Sequence, residues 1–202
     1  MTEDEKEDFT KVKVILLGNS GVGKTCLINA AGGGSFNPNE DITISASYIV
    51  KPMKINTKIY NLYIWDTIGQ EDFRALTKIF FKNSKIVIFV YDITQKYSFE
   101  SLNGWVNDVK EIIGDDIIKG VIGNKTDLYL NEQVKDEEGE EFANSINAKF
   151  KTTSAKCEPK GFSEFLEELL IEYTKENDKN NNNDSIELDK KDVQKKNTKK
   201  CC

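Results

Sequence analysis

Apolar residues along the chain fall into short continuous runs and helix-spaced stretches that alternate with each other. VKVILL (12–17) is a run closed by Gly18, and a helix-like stretch follows from Lys24 to about Ala31, giving strand, loop, helix. SYIV (47–50), continued by MKI after Pro52, and KIYNLYIWD (58–66) flank the polar break at Asn56 and Thr57 and predict a hairpin. SKIVIFVYD (84–92) is continuous rather than alternating, which suits a strand buried on both faces of a parallel sheet.

Phe99, Leu102, Val106, Val109 and Ile113 recur three or four residues apart, the spacing of one helix face, with Ser98 as its N-cap. IIKGVIGN (117–124) reads as a strand that Gly120 weakens. A helix is expected from Asp136 to about Ile146, a short strand at AKFKT, and a last helix in GFSEFLEELLIEYTK, with Phe162, Phe165, Leu166, Leu169 and Tyr173 along one side. Strands that alternate with helices imply an α/β fold, a mainly parallel six-stranded sheet with helices on both faces. There is no internal repeat.

After about Lys175 the composition changes to ENDKNNNNDSIELDKKDVQKKNTKKCC, which has little to bury and is expected to be disordered. The domain plan is therefore an acidic extension over 1–10, one folded unit over 11–175 and a tail over 176–202.

Composition narrows the chemistry. The formal charge of −6 argues against a general nucleic-acid binder, which needs clustered Lys and Arg. No run reaches the roughly 18 apolar residues of a membrane-spanning helix, and the start MTEDEKEDF is acidic where a secretory signal is basic and then apolar, so the expected compartment is the cytosol. Four cysteines, at 26, 157, 201 and 202, have neither zinc-site spacing nor the density of a disulfide scaffold. Histidine is absent, which removes Ser-His and Cys-His catalysis and leaves carboxylates, amides, lysines, backbone groups or a bound hard cation, with magnesium the natural candidate.

GNSGVGKT (18–25) fits G-x-x-x-x-G-K-[ST] and lies between a strand and a helix, as that motif requires. Gly18, Gly21 and Gly23 let the backbone turn and aim N–H groups inward, making an anion nest at the helix N-terminus. Lys24 can reach the β- and γ-phosphates, and the Thr25 hydroxyl can ligate magnesium. A phosphate cradle alone does not choose among nucleotide kinases, ATPases and GTPases. In WDTIGQE (65–71), Asp66 can hold magnesium through water and the Gly69 N–H can approach a γ-phosphate. In NKTD (124–127), Asp127 can accept two hydrogen bonds from guanine, which adenine does not offer in the same geometry.

The set GNSGVGKT, WDTIGQE, NKTD and TSAK (153–156) resembles a Ras-type small GTPase, a P-loop NTPase fold. VYDITQKYSFESLNGWVNDV (90–109) and the terminal CC resemble the Rab family within it, and the likeness covers about 11–174. The resemblance implies GTP/GDP as ligand and Mg2+ as cofactor. Gly18, Ser20, Gly21, Val22, Gly23, Lys24, Thr25, Cys26, Thr43 and Gly69 then face the phosphates. Phe36, Asn124, Lys125, Asp127, Ser154, Ala155 and Lys156 face guanine. Thr25, Thr43 and, via water, Asp66 serve the metal, and Gln70 orients the attacking water. With no arginine finger apparent in the chain, slow hydrolysis is implied unless a partner completes the site. Implied partners are an exchange factor, an activating protein, a GDP-dissociation inhibitor or escort protein, and effectors that meet Tyr48, Trp65 and Phe80.

The pattern also departs from the family. TISASY (43–48) stands where Rab proteins read close to TIGVDF, Ile68 replaces the alanine of DTAG, Asp72 stands where arginine is common, and Glu40 lies near the expected phosphate side. Crowding by Ile68 predicts reduced intrinsic turnover, which opens the alternative of a nucleotide-binding scaffold with impaired hydrolysis. A P-loop kinase of a small metabolite is a further reading, disfavoured by NKTD and by the tail. In such proteins two terminal cysteines, here Cys201 and Cys202, both receive geranylgeranyl groups, and two lipid chains suffice for stable anchoring. Lys190, Lys191, Lys195, Lys196, Lys199 and Lys200 outweigh Asp192 before them and would be drawn to an anionic leaflet. The implied location is the cytosol and the cytoplasmic face of intracellular membranes, with the protein acting as a switch in vesicle traffic.

Overall fold

The computed structural model describes residues 9–38, 40, 43, 45–67 and 77–178. The apolar runs become strands β1 (Phe9–Leu17), β2 (Ser47–Ile55), β3 (Lys58–Asp66), β4 (Ile86–Asp92), β5 (Ile118–Asn124) and β6 (Lys149–Thr153). They form a six-stranded sheet in the order β2-β3-β1-β4-β5-β6, parallel throughout except for the β2–β3 hairpin. Every residue of β4 and β5 is buried, because helices cover both faces of the sheet centre.

The helices are α1 (Lys24–Ala31), α2 (Lys96–Glu100), α3 (Leu102–Ile113), α4 (Asp136–Ser145) and α5 (161–178). Alternation along the strands divides the core. Ile86, Ile88 and Val90 point to the layer that holds Leu27 of α1 and Phe165 and Leu169 of α5. Val87, Phe89 and Tyr91 point to the layer that holds Trp105 and Val109 of α3 and Ala143 of α4. Period two in the strands and period near four in the helices meet in these two layers.

The second run continues past Pro52 as expected: β2 passes through it, with Pro52 opposite Asn61, on an edge strand, where proline is tolerated. Two expectations need correction. Ser98 is not an N-cap. It lies inside α2, where its hydroxyl accepts from the Asp92 N–H at 3.0 Å and donates to the Gln95 carbonyl at 2.7 Å, so it serves the end of β4. The last helix continues to residue 178, past the composition change near Lys175.

Gly120 sits in mid-strand for a packing reason. A Cβ there would come 2.8 Å from Phe165 and 3.0 Å from Leu169, so α5 lies directly on the bare backbone. Gly120→Ala is expected to destabilise by about 1–3 kcal/mol, the usual cost of overpacking. Scanning calorimetry should show a midpoint lower by roughly 2–4 °C per kcal/mol. An unchanged midpoint would mean that α5 yields freely at this contact.

The chain leaves β1 toward one side of the sheet and leaves β3 toward the other, so the strand order reverses at β1. In open α/β sheets the crevice beyond the carboxyl ends of the strands at such a point is where ligands bind. The carboxyl ends of β1, β3, β4, β5 and β6 are Leu17, Asp66, Asp92, Asn124 and Thr153, and each borders a motif singled out above.

Candidate nucleotide-binding site

A cavity of about 380 Å³ opens at these strand ends. Its floor is the loop between β1 and α1. Gly18 takes φ 150° with its Cα so close to β4 that a Cβ would meet the Val90 carbonyl oxygen at 2.1 Å. Gly23, the N-cap of α1, takes φ 97°, and a Cβ there would meet Asn124 Nδ2 at 2.3 Å. Side chains are excluded at both positions, so the backbone follows the cavity wall and α1 aims its N-terminus inward.

Ser20, Gly21, Gly23, Lys24, Thr25 and Cys26 line this end. Lys24 is buried, and its ammonium donates to the carbonyls of Gly18 at 2.8 Å and Asn19 at 2.9 Å. The charge is thus kept in the floor of the cavity. Burial, then the charge of Glu40, pushes the Cys26 thiol up, so it stays protonated.

Three hard oxygens converge beside Lys24. The Thr25 hydroxyl donates to Asp66 Oδ2 at 2.7 Å and lies 2.8 Å from the Thr43 hydroxyl, which is itself 3.3 Å from Asp66 Oδ2. Asp66 Oδ1 is buried and no hydrogen bond reaches it among the described residues. Burial raises the Asp66 carboxyl above its ordinary range, against the Thr25 hydroxyl, the Lys24 ammonium and the Thr43 hydroxyl, while Glu40 reinforces the rise. Two hydroxyls and a carboxylate, one of whose oxygens is buried without a hydrogen bond among the described residues, are a donor set that fits magnesium. Glu40 also lines the cavity, as does Thr67, whose hydroxyl donates to the Leu16 carbonyl at 2.5 Å.

The opposite end is lined by the apolar side chains of Phe36 and Leu128 together with polar groups. Phe36 and Leu128 are each 40% exposed, an unusual state for a large apolar side chain inside a cleft. Lys125 holds φ 71°, and its ammonium pairs with the buried Asp92 at 2.7 Å, which lays its stem along the cavity. Asp127 Oδ1 accepts from the Ser154 hydroxyl at 2.6 Å, and Oδ2 lies 3.8 Å from the Lys156 ammonium. The Ser154 hydroxyl accepts in turn from the N–H groups of Lys156 at 3.2 Å and Cys157 at 3.0 Å, so the carboxylate is fixed from behind. Asn124 Nδ2 donates to the Val22 carbonyl at 2.8 Å and Oδ1 accepts from the Ala155 N–H at 3.2 Å, tying the two ends of the cavity together.

Asn124, Lys125, Asp127, Ala155 and Lys156 line the wall, whereas Gly18, Val22, Asp66 and Ser154 stand behind it and act through the neighbours just described. Ile68, Gly69, Gln70, Asp72, Cys201 and Cys202 lie outside the described residues. Thr67, Leu128, Asn37 and Pro38 also line the cavity, and sequence reasoning passed over them. Asp92 was legible in principle: it closes a buried strand directly opposite Asn124 on β5.

Away from the cavity, Tyr48, Trp65 and Phe80 form a continuous stack, with centroids 4.9 Å apart for Tyr48 and Trp65 and 5.4 Å for Trp65 and Phe80. Tyr63 extends it at 5.6 Å from Tyr48, and the Lys13 ammonium lies 5.0 Å from the Trp65 ring.

Comparison with known sequences agrees with this architecture. The profile of the Ras family matches residues 13–175. The chain is 40% identical over 163 residues to the Ras-related protein Rab-21 of Homo sapiens, covering 81% of this chain and 70% of that protein. It is 38% identical over 164 residues to Rab-21 of Geodia cydonium, covering 81% and 71%. To Rab-30 of Homo sapiens it is 37% identical over 152 residues, covering 75% and 74%. The chain therefore belongs to the Ras family, in its Rab branch, and is a GTPase that converts GTP to GDP and phosphate.

Proposed function

We propose that the cavity holds GTP or GDP with guanine between Phe36 and Leu128 and the phosphates over the loop from Gly18 to Thr25, and that the protein is a membrane-anchored switch. The observation that carries this reading is the convergence of Thr25, Thr43 and Asp66, with its unbonded Oδ1, at the phosphate end. Thr25 and Thr43 would hold magnesium directly and Asp66 through water. The ion would neutralise charge on the phosphate oxygens.

The remaining roles belong to side chains. Lys24 neutralises the β- and γ-phosphates from a buried position that water cannot screen. Gln70 orients the attacking water, and Thr43 and Gly69 sense the γ-phosphate. With no arginine supplied to the transition state, turnover is slow until an activating protein contributes one. Loss of the γ-phosphate frees Thr43 and Gly69, and partners that read Tyr48, Trp65 and Phe80 then leave. An exchange factor reloads GTP.

No helix among the described residues is long and apolar enough to cross a membrane. Geranylgeranyl groups on Cys201 and Cys202, helped by the lysines before them, would hold the switch on the cytoplasmic face of an intracellular membrane. An escort protein or GDP-dissociation inhibitor would cover them in the cytosol. The folded unit would then be a switch tethered to that membrane by the tail.

The test is calorimetric. GDP should bind the wild-type chain more tightly with magnesium than with a chelator, and Thr25→Ala should lose that increment, a fall of at least about 10–100-fold. Equal affinities for wild type in magnesium and in chelator would remove the metal from the reading. Phosphate release with and without an activating protein separates a working switch from a scaffold that barely hydrolyses, the outcome that Ile68 would favour.

A further inference from the structure

Asn19 does not line the cavity, yet it touches the residue that matters most there. Its backbone carbonyl accepts the Lys24 ammonium at 2.9 Å. Its side chain is held at both ends by α3 and the residue before it: Oδ1 accepts from Trp105 Nε1–H at 3.3 Å and Nδ2 donates to Ser101 Oγ at 3.1 Å. Ser101 is itself anchored, its hydroxyl donating to the Tyr97 carbonyl at 2.8 Å. Asn19 is 5% exposed and Trp105 1% exposed, so water does not compete for the bond between them.

One residue thus carries two connections in opposite directions. The Asn19 peptide cannot rotate without breaking the Lys24 bond, and its side chain cannot leave without breaking the bond from the indole N–H. We propose that Asn19 is a positioning residue for Lys24, held by Trp105 and Ser101, so that helix α3 braces the phosphate end of the nucleotide site from outside it. This inference rests on the reading of the cavity as a GTP and GDP site. When Asn19 loses its anchors, the carbonyl that aims Lys24 wanders, and the ammonium spends less time on the phosphates.

The test is release of a fluorescent GDP derivative from the full chain in magnesium. Asn19→Ala and Trp105→Phe are each expected to release it about 5–30-fold faster, the range that one buried hydrogen bond commands. In the double variant the effects should not multiply, since both remove the same link. Val109→Ala, on the same helix and equally buried, is the packing control: it should lower the melting temperature without a comparable change in release.

Wild-type release from both single variants, multiplicative effects in the double variant, or a Val109→Ala rate as fast as theirs would each overturn the inference. If Asn19→Ala does not fold, Trp105→Phe decides alone, because it removes one N–H and keeps a ring in place. Failure of the wild-type chain to bind GDP at all would instead overturn the nucleotide reading, and this inference with it.

Discussion

Asp127→Ala is expected to weaken GDP binding about 10²–10⁴-fold, the loss of two charge-assisted hydrogen bonds at roughly 1.5–3 kcal/mol each. It should also abolish the preference for GDP over inosine diphosphate, which lacks the exocyclic amine. The wild-type carboxylate is only 14% exposed and is fixed by Ser154 at 2.6 Å, so it cannot turn away to water when a base offers too few donors. A purine without the amine leaves one oxygen unpaired in a partly closed site, and that penalty is the specificity. Titration of both nucleotides into both proteins gives four affinities. If wild type fails to distinguish GDP from inosine diphosphate, Asp127 does not read the base.

Lys24→Ala should lower the affinity for a non-hydrolysable GTP analogue by about 10²–10⁴-fold, and for GDP by less. Removing one partner of a buried charge pair costs roughly 3–5 kcal/mol, because the phosphate charge is then enclosed without compensation. The ligand-free protein should lose stability too, since the Gly18 and Asn19 carbonyls are left without their donor. Lys24→Arg should not restore binding: a planar fork does not fit a pocket that grips a point charge by two carbonyls. Affinities within a factor of three of wild type would place the phosphates elsewhere.

How much of this was readable beforehand depends on whether the signal was local. The loop over 18–25 was legible because a strand, three glycines and Lys-Thr occur in one short window, and their geometry follows from backbone rules. Asp127 was legible as a guanine acceptor from the chemistry of NKTD, but Ser154 only through the family pattern, since 27 residues separate two side chains that meet at 2.6 Å. Ser98 was misread because it was judged by its local preference. It finds a better partner in the N–H of Asp92 than in the helix ahead of it. Gly120 was judged a weakness because nothing local shows that Phe165 lies on it. The clamp on Asn19 depends on a contact across 86 positions to Trp105, beyond the reach of any window.

Asn124 touches the Val22 carbonyl with one arm and the Ala155 amide with the other. Because a single buried amide rivets both rims of the cleft, prying at the purine side strains the anion cradle as well. A protein that ejects spent GDP need therefore grip only one rim: loosening there should spread to the other, and departure should be concerted instead of stepwise.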